Sequence, residues 1–241
     1  MKVKLSIITI NYNNLKGLER TMPSVLAQRY EPLEYLVIDG GSTDGSTAYI
    51  ASQEAALAYW VSEPDKGVYH AMNKGINKAK GEYLLFLNSG DTFYSQDALS
   101  HFKPYLTPTN SFDLLYGDLN VISEKEWIKT YPETLEFSYF VKDTLPHPAT
   151  LIKRSCFRDF LYDEHLKIAS DWKFFMLGIC KKKFSYQYIN TIIANFYLDG
   201  ISSRSPALVK LERDQVLQRE FALSFNFYRL NQYLKRAIKL K

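Results

Sequence analysis

A chain of 241 residues that is 46% hydrophobic can bury a substantial core, and a single α/β domain with an appended tail is the expectation at this length. Its formal charge of +4 suits an anionic ligand but falls short of the basic footprint of a nucleic-acid-binding protein, so no nucleic-acid partner is expected. Two cysteines, Cys156 and Cys180, argue against a disulfide-stapled scaffold, and no apolar run is long enough to span a bilayer or is followed by a signal-peptide cleavage site, so the expected location is cytoplasmic.

Val3 to Ile10 is rich in β-branched residues and predicts a central strand, followed at Asn11-Tyr12-Asn13-Asn14 by turn chemistry and a helix cap. The next helix lines up Leu15, Leu18, Met22, Val25 and Leu26, with Pro23 expected to kink it. Tyr35 to Ile38 is a second strand. It runs into Asp39-Gly-Gly-Ser-Thr-Asp-Gly-Ser46, where glycine permits a tight turn and Asp44 or Ser46 can cap the following helix.

Ala58 to Ser62 predicts a third strand ending at Glu63-Pro-Asp-Lys-Gly67, and Val68, Ala71, Met72, Gly75, Ile76 and Ala79 predict an amphipathic helix over 67–80. Tyr83 to Leu87, five apolar residues in a row, reads as a strand covered on both faces that stops at Asn88-Ser-Gly-Asp91. The alternation βαβαβαβ implies an α/β fold with a largely parallel, twisted sheet and helices on both faces. The C-terminal strand ends of such a sheet share one edge, so Thr9, Asn11, Asp39, Glu63, Asp65, Asn88 and Asp91 should meet in one crevice. Each alone reads as an ordinary cap or turn residue; their convergence is what marks a site.

Leu114 to Ile122 and Trp127 to Tyr131 predict a strand pair, with Asp118 as a structural aspartate. Asp171 leads a helix carrying Trp172, Phe175, Met176 and Ile179 at helical spacing, near the cap position. Pro206 marks a break before a helical pattern that runs to the end. Its last part sets Leu230, Tyr233, Leu234, Ala237 and Ile238 against Arg229, Lys235, Arg236, Lys239 and Lys241. Such a basic amphipathic end can lie on an anionic membrane surface, dock on its own domain or form a homodimer contact.

Four blocks in order, Ser6-Ile-Ile-Thr-Ile-Asn-Tyr-Asn-Asn14, Asp39-Gly-Gly-Ser-Thr-Asp-Gly-Ser46, Glu63-Pro-Asp-Lys-Gly-Val-Tyr-His-Ala-Met-Asn-Lys-Gly75 and Leu87-Asn-Ser-Gly-Asp91, resemble the successive motifs of family 2 glycosyltransferases, of the kind used in bacterial surface polysaccharide assembly. The resemblance is dense over 3–91, thinner over 140–205 and absent beyond. It implies a GT-A domain over 1–205, with a nucleotide-sugar half at 1–95 and an acceptor half at 96–205, and a separate tail at 206–241.

By motif position the resemblance implies that Thr9, Asp39 and Asp65 contact base and ribose, that Asn11 belongs to the same nucleotide-sugar site, and that Lys66 and Asn73 lie by the diphosphate, Lys66 reading otherwise as a solvated loop lysine. Asn88, Ser89 and Asp91 would then surround a divalent metal, Mg2+ or Mn2+, with Asp91 as its acid ligand. Ser89 stands where the family has a second acid, which keeps open a nucleotide-sugar-binding module without turnover. The same resemblance makes Asp171 the general base of an inverting transfer from a nucleotide-sugar, a UDP-sugar first among candidates, to a glycan or lipid-linked acceptor, in a protein cytoplasmic or peripheral at the inner membrane face. His147, in Leu145-Pro-His-Pro-Ala-Thr150, would line the acceptor pocket or cap a strand, and Arg204, after Asp199-Gly-Ile-Ser-Ser203, would sit on a closing loop. A dehydrogenase would need Gly-x-Gly-x-x-Gly directly after the first strand, and Asn11 to Gly17 does not provide it, which makes that rival weak.

Overall fold

The computed structural model describes residues 4–107, 110–198 and 205–239, and among these one mixed sheet of nine strands forms the framework. Leu5–Asn11 (β1), Leu33–Asp39 (β2), Tyr59–Ser62 (β3) and Tyr83–Phe86 (β4) are parallel neighbours in the order β3-β2-β1-β4. β1 and β4 are buried throughout and β2 beyond its first residue, which is why they read as apolar runs and not as alternations. Leu15–Leu26 (α1), Ser46–Ser52 (α2) and Val68–Lys78 (α3) make the crossovers, and α1 continues past Pro23 to Leu26.

Asp44 caps more than the expected helix. Its Oδ1 accepts the Ser46 N–H at 3.1 Å at the start of α2, and its Oδ2 accepts the Leu15 N–H at 2.8 Å at the start of α1. One carboxylate therefore satisfies two helix N-termini, while α3 starts at Gly67 with neither a side-chain cap nor an acid in its first turn.

The second half adds Thr92–Phe93 (β5), the small pair Leu106–Thr107 (β6) and Asn110–Ser111 (β7), Leu114–Ile122 (β8), Glu126–Lys129 (β9), Thr150–Lys153 (β10) and Tyr186–Tyr197 (β11). β10 enters antiparallel between β4 and β8, β11 runs parallel to β8, and β5 closes the far edge against β11. β9 folds back on β8, so the expected strand pair is present. Asp118 on β8 accepts from the Tyr188 hydroxyl at 2.9 Å and the Tyr131 N–H at 3.1 Å, in keeping with a structural role.

Phe137–Lys142 (α4), Ser170–Leu177 (α5) and Pro206–Lys239 (α6) complete the chain. The first part of α6 buries Glu212, Val216, Leu217, Phe221 and Phe225, the last four in the same apolar core as Leu5. Regular helical geometry breaks at Phe221 (φ −138°, ψ 30°). Beyond the break Leu223, Phe227, Leu230, Tyr233 and Leu234 are exposed. Among the described residues no helix is long and apolar enough to cross a membrane.

Candidate active site

The parallel register sets Asn11 beside Asp39 and Asp39 beside Ser62, so the ends of β1, β2 and β3 form one polar edge. Asn11 Nδ2 donates to Asp39 at 2.7 Å, and the hydroxyls of Ser42 and Ser62 each reach the same carboxylate at 2.6 Å. Burial alone would raise the Asp39 carboxyl, but these donors and the Ser42 N–H outweigh it and hold the group below its usual range. Asp39 is thus a buried anchor for the Gly40–Ser42 turn.

Asp65 is shaped differently. Its Oδ1 pairs with Lys74 at 2.7 Å and His70 at 2.8 Å, whereas its Oδ2 is buried without a hydrogen-bond partner. Asn11 Oδ1 and Asn88 Oδ1 are likewise buried and unpartnered. Three acceptor oxygens at or just beyond three strand ends therefore lack donors, a costly arrangement unless something supplies them.

The turn after β4 is pinned from α1. The Thr21 hydroxyl donates to the Asp91 carbonyl at 2.7 Å and accepts the Gly90 N–H at 2.9 Å. Arg20 donates to the Gly90 carbonyl at 3.0 Å and stacks on Tyr197 at 3.9 Å. Asp91 is buried, its Oδ1 accepting the Tyr197 N–H at 3.1 Å, and Asn14 Nδ2 reaches the Ser89 hydroxyl at 3.3 Å. Hard oxygens from Asp91, Asn88 and Ser89 suit Mg2+ or Mn2+. With one carboxylate they are incomplete without phosphate oxygens, and among the described residues no group of three or more His, Cys, Asp or Glu is gathered for a metal.

Two expected donor contacts sit elsewhere. Thr9 is fully buried, its hydroxyl donating to the Leu87 carbonyl at 2.7 Å and lying 2.9 Å from the Tyr35 hydroxyl, so its side chain braces β1 against β4 instead of facing the crevice. Asn73 is also buried. Its Nδ2 donates to the Tyr162 carbonyl and to Glu164, both at 2.9 Å, and its Oδ1 accepts the Tyr162 N–H at 3.1 Å. All its polar atoms are committed to a loop of the second half, which leaves none for a diphosphate. Lys66 is exposed beside the uncapped start of α3.

In the second half of the chain, Ala169 is the N-cap of α5 and makes no side-chain cap bond, while Asp171 stands in the first turn. Asp171 is therefore not the cap of its helix. Its Oδ1 accepts the Tyr69 hydroxyl at 2.8 Å, and Tyr69 belongs to the first turn of α3. Burial and the adjacent Asp171 push the Tyr69 phenol far up, so it stays a donor at any working pH. His147 caps no strand: it is buried in a short 3-10 turn, stacked on Phe86 at 4.9 Å with Nε2 2.8 Å from the Tyr162 hydroxyl. Arg204 and the Asp199–Ser203 segment lie outside the described residues.

Glu212 and Arg213, on α6, carry no motif. Glu212 accepts three consecutive backbone N–H groups, from Lys167 at 2.7 Å and from Ile168 and Ala169 at 3.0 Å each. These residues lead directly into Asp171. The available sequence signal is an acid in register with Val216, Leu217 and Phe221 on a buried helix face.

Residues 6–158 match the model of glycosyl transferase family 2. An uncharacterized glycosyltransferase of Mycobacterium tuberculosis is 35% identical over 212 residues, spanning 85% of this chain and 79% of its own. A PGL/p-HBAD biosynthesis glycosyltransferase of Mycobacterium bovis is 28% identical over 199 residues, spanning 79% and 75%. Among solved structures, S. aureus TarS 1-349 in complex with UDP-GlcNAc superposes with a TM-score of 0.66 at 17% identity, over 91% of this chain and 73% of that one. The mannosyltransferase PcManGT from Pyrobaculum calidifontis, in complex with GDP-Man and Mn2+, gives 0.65 at 17% identity, over 94% and 65%. The family model covers the ends of β1 to β4 and the M. tuberculosis relative extends the likeness to 85% of the chain: the chain is a glycosyltransferase of family 2, built on the GT-A fold.

Proposed function

We propose that this enzyme moves a sugar from a nucleoside-diphosphate donor, a UDP-sugar first among candidates, to a hydroxyl of a glycan or lipid-linked acceptor, with inversion at the anomeric carbon. The observation that carries this reading is the Tyr69–Asp171 hydrogen bond of 2.8 Å, which ties the acid to the first turn of the helix next to Asp65 and Lys66. The unpartnered oxygens of Asn11 and Asp65 support a nucleoside there, whose N–H and O–H groups are donors. The start of α3, with Lys66 beside it, supports the diphosphate at that end, since α1 and α2 already share Asp44.

Asp171 accepts the proton of the acceptor hydroxyl as that oxygen attacks the anomeric carbon. The bond from that carbon to the diphosphate oxygen breaks on the opposite face, and the leaving diphosphate takes the electron pair. Tyr69 orients the base through Oδ1 and leaves Oδ2 for the incoming hydroxyl. A divalent metal, when bound by Asp91, Asn88 and Ser89 together with the phosphates, offsets the charge on the leaving group. Mn2+ beside GDP-Man in the similar mannosyltransferase supports that role, and the name of the M. bovis relative, a PGL/p-HBAD biosynthesis glycosyltransferase, supports a place in surface glycan assembly.

Release of nucleoside diphosphate across a panel of nucleotide-sugars, with Mg2+ or Mn2+, identifies the donor. In the responding reaction Asp171→Asn should lower turnover by about 10²- to 10⁴-fold while donor binding persists. Near-normal turnover would remove Asp171 from the mechanism.

A further inference from the structure

Arg213 follows Glu212 on α6, so the three hydrogen bonds that fix Glu212 also fix the position of its neighbour. The guanidinium carbon lies 5.1 Å from the ring centroid of Trp172, the residue after Asp171. Arg213 Nε is buried and has no hydrogen-bond partner among the described residues. Nearby carboxylates have other partners: Asp143 pairs with Lys129 at 2.9 Å, and Asp171 takes the Tyr69 hydroxyl. Burial lowers the guanidinium from its ordinary value, while Asp171, Asp143, Tyr139 and Tyr69 act in the opposite sense from within electrostatic reach. Thr144, next to Asp143, adds a buried hydroxyl without a partner.

A half-buried arginine fork with no acid paired to it among the described residues has lost hydration without a compensating anion. Folding retains it because Trp172 stacks on its face and Glu212 anchors the helix. That leaves the fork oriented in advance, as an anion receptor requires. The donor diphosphate is already assigned, in the function proposed above, to the start of α3 and Asp91.

We propose that Arg213 is an anion-recognition residue of the acceptor site, taking a phosphate group of the acceptor beside Asp171. The inference rests on the reading of Asp171 as the base that faces the acceptor. The phosphate belongs either to a lipid-linked diphosphate or to a phosphate carried on the acceptor glycan; both present the same oxygens to the fork.

Trp172 reports on the site directly. With Trp60 and Trp127 changed to Phe it is the sole tryptophan of the chain. The donor crevice is first saturated with Mg2+ and the nucleoside diphosphate released in the donor screen. Inorganic phosphate and geranyl phosphate are then titrated against Trp172 emission. A saturable change is expected, weakened about ten- to a hundredfold in R213M and R213Q. Nucleoside diphosphate binding in both variants is the check on folding. Tighter binding of geranyl phosphate than of inorganic phosphate would assign the group to a lipid-linked acceptor, and equal binding to a phosphate on the glycan. An absent change, or one that survives in both folded variants, overturns the proposal. In either case donor turnover and its loss in Asp171→Asn stand or fall separately.

Discussion

Ser89 is where metal binding is most open to manipulation. The end of β4 offers Asp91 as its one carboxylate, with Asn88 Oδ1 unpartnered and Ser89 in contact with Asn14. Ser89→Asp supplies a second hard anionic oxygen, so Mn2+ affinity without nucleotide should rise by about tenfold or more, read by titration calorimetry. An unchanged affinity would put the metal elsewhere. At this scale the sequence was informative about the strand ends: Asp39 ends β2, Asp65 follows β3, and Asn88 and Asp91 follow β4. It gave no sign of the side-chain partners of Thr9 and Asn73. Both are polar residues at motif positions, but their side chains are claimed by groups 26 to 91 residues away, which no local pattern reveals.

Among elements, the C-terminal helix α6 follows, over its first part, the docked alternative that its sequence left open. Its first part docks through Phe221 and Phe225, and Glu212 closes three N–H groups ahead of α5. Glu212→Ala leaves those donors unpaired and should cost on the order of 3 kcal/mol, with turnover falling more than donor affinity. Thermal melts together with kcat and donor KM check this; unchanged values of all three would show that α6 does not hold the Asp171 loop. Glu212→Gln keeps one acceptor and should fall between. The βαβαβαβ run was legible because parallel strands covered on both faces are uniformly apolar. β5, β10 and β11 were not: two are short, and β11 shifts register against β8 between Tyr188 and Ala194, which blurs its alternation.

For the molecule as a whole, pH acts through groups whose protonation differs between folded and unfolded chains. Burial holds the His147 imidazole below its ordinary value, with Asp171 pulling the other way. The unfolded chain therefore takes up this proton first, near pH 6.5, so stability is full above about pH 6.5 and declines on acidification by up to about 1.4 kcal/mol per pH unit. Asp39, also held below its usual value, loses its contribution only from about pH 4 downward. Melting temperatures between pH 8 and pH 5 should fall less steeply in His147→Gln than in the parent; identical slopes would assign the acid sensitivity to another group.

The clasp of Asn73 on Tyr162 carries information from one half of the chain to the other. The Tyr162 amide proton is held by a side chain of α3 that lies 89 residues earlier, so it exchanges with solvent only when that helix and the loop part. A nucleoside diphosphate bound at the start of α3, as proposed, would resist that parting. Deuterium uptake at Tyr162 should therefore slow on addition of the nucleotide, making one amide of the second half of the chain a gauge of donor occupancy.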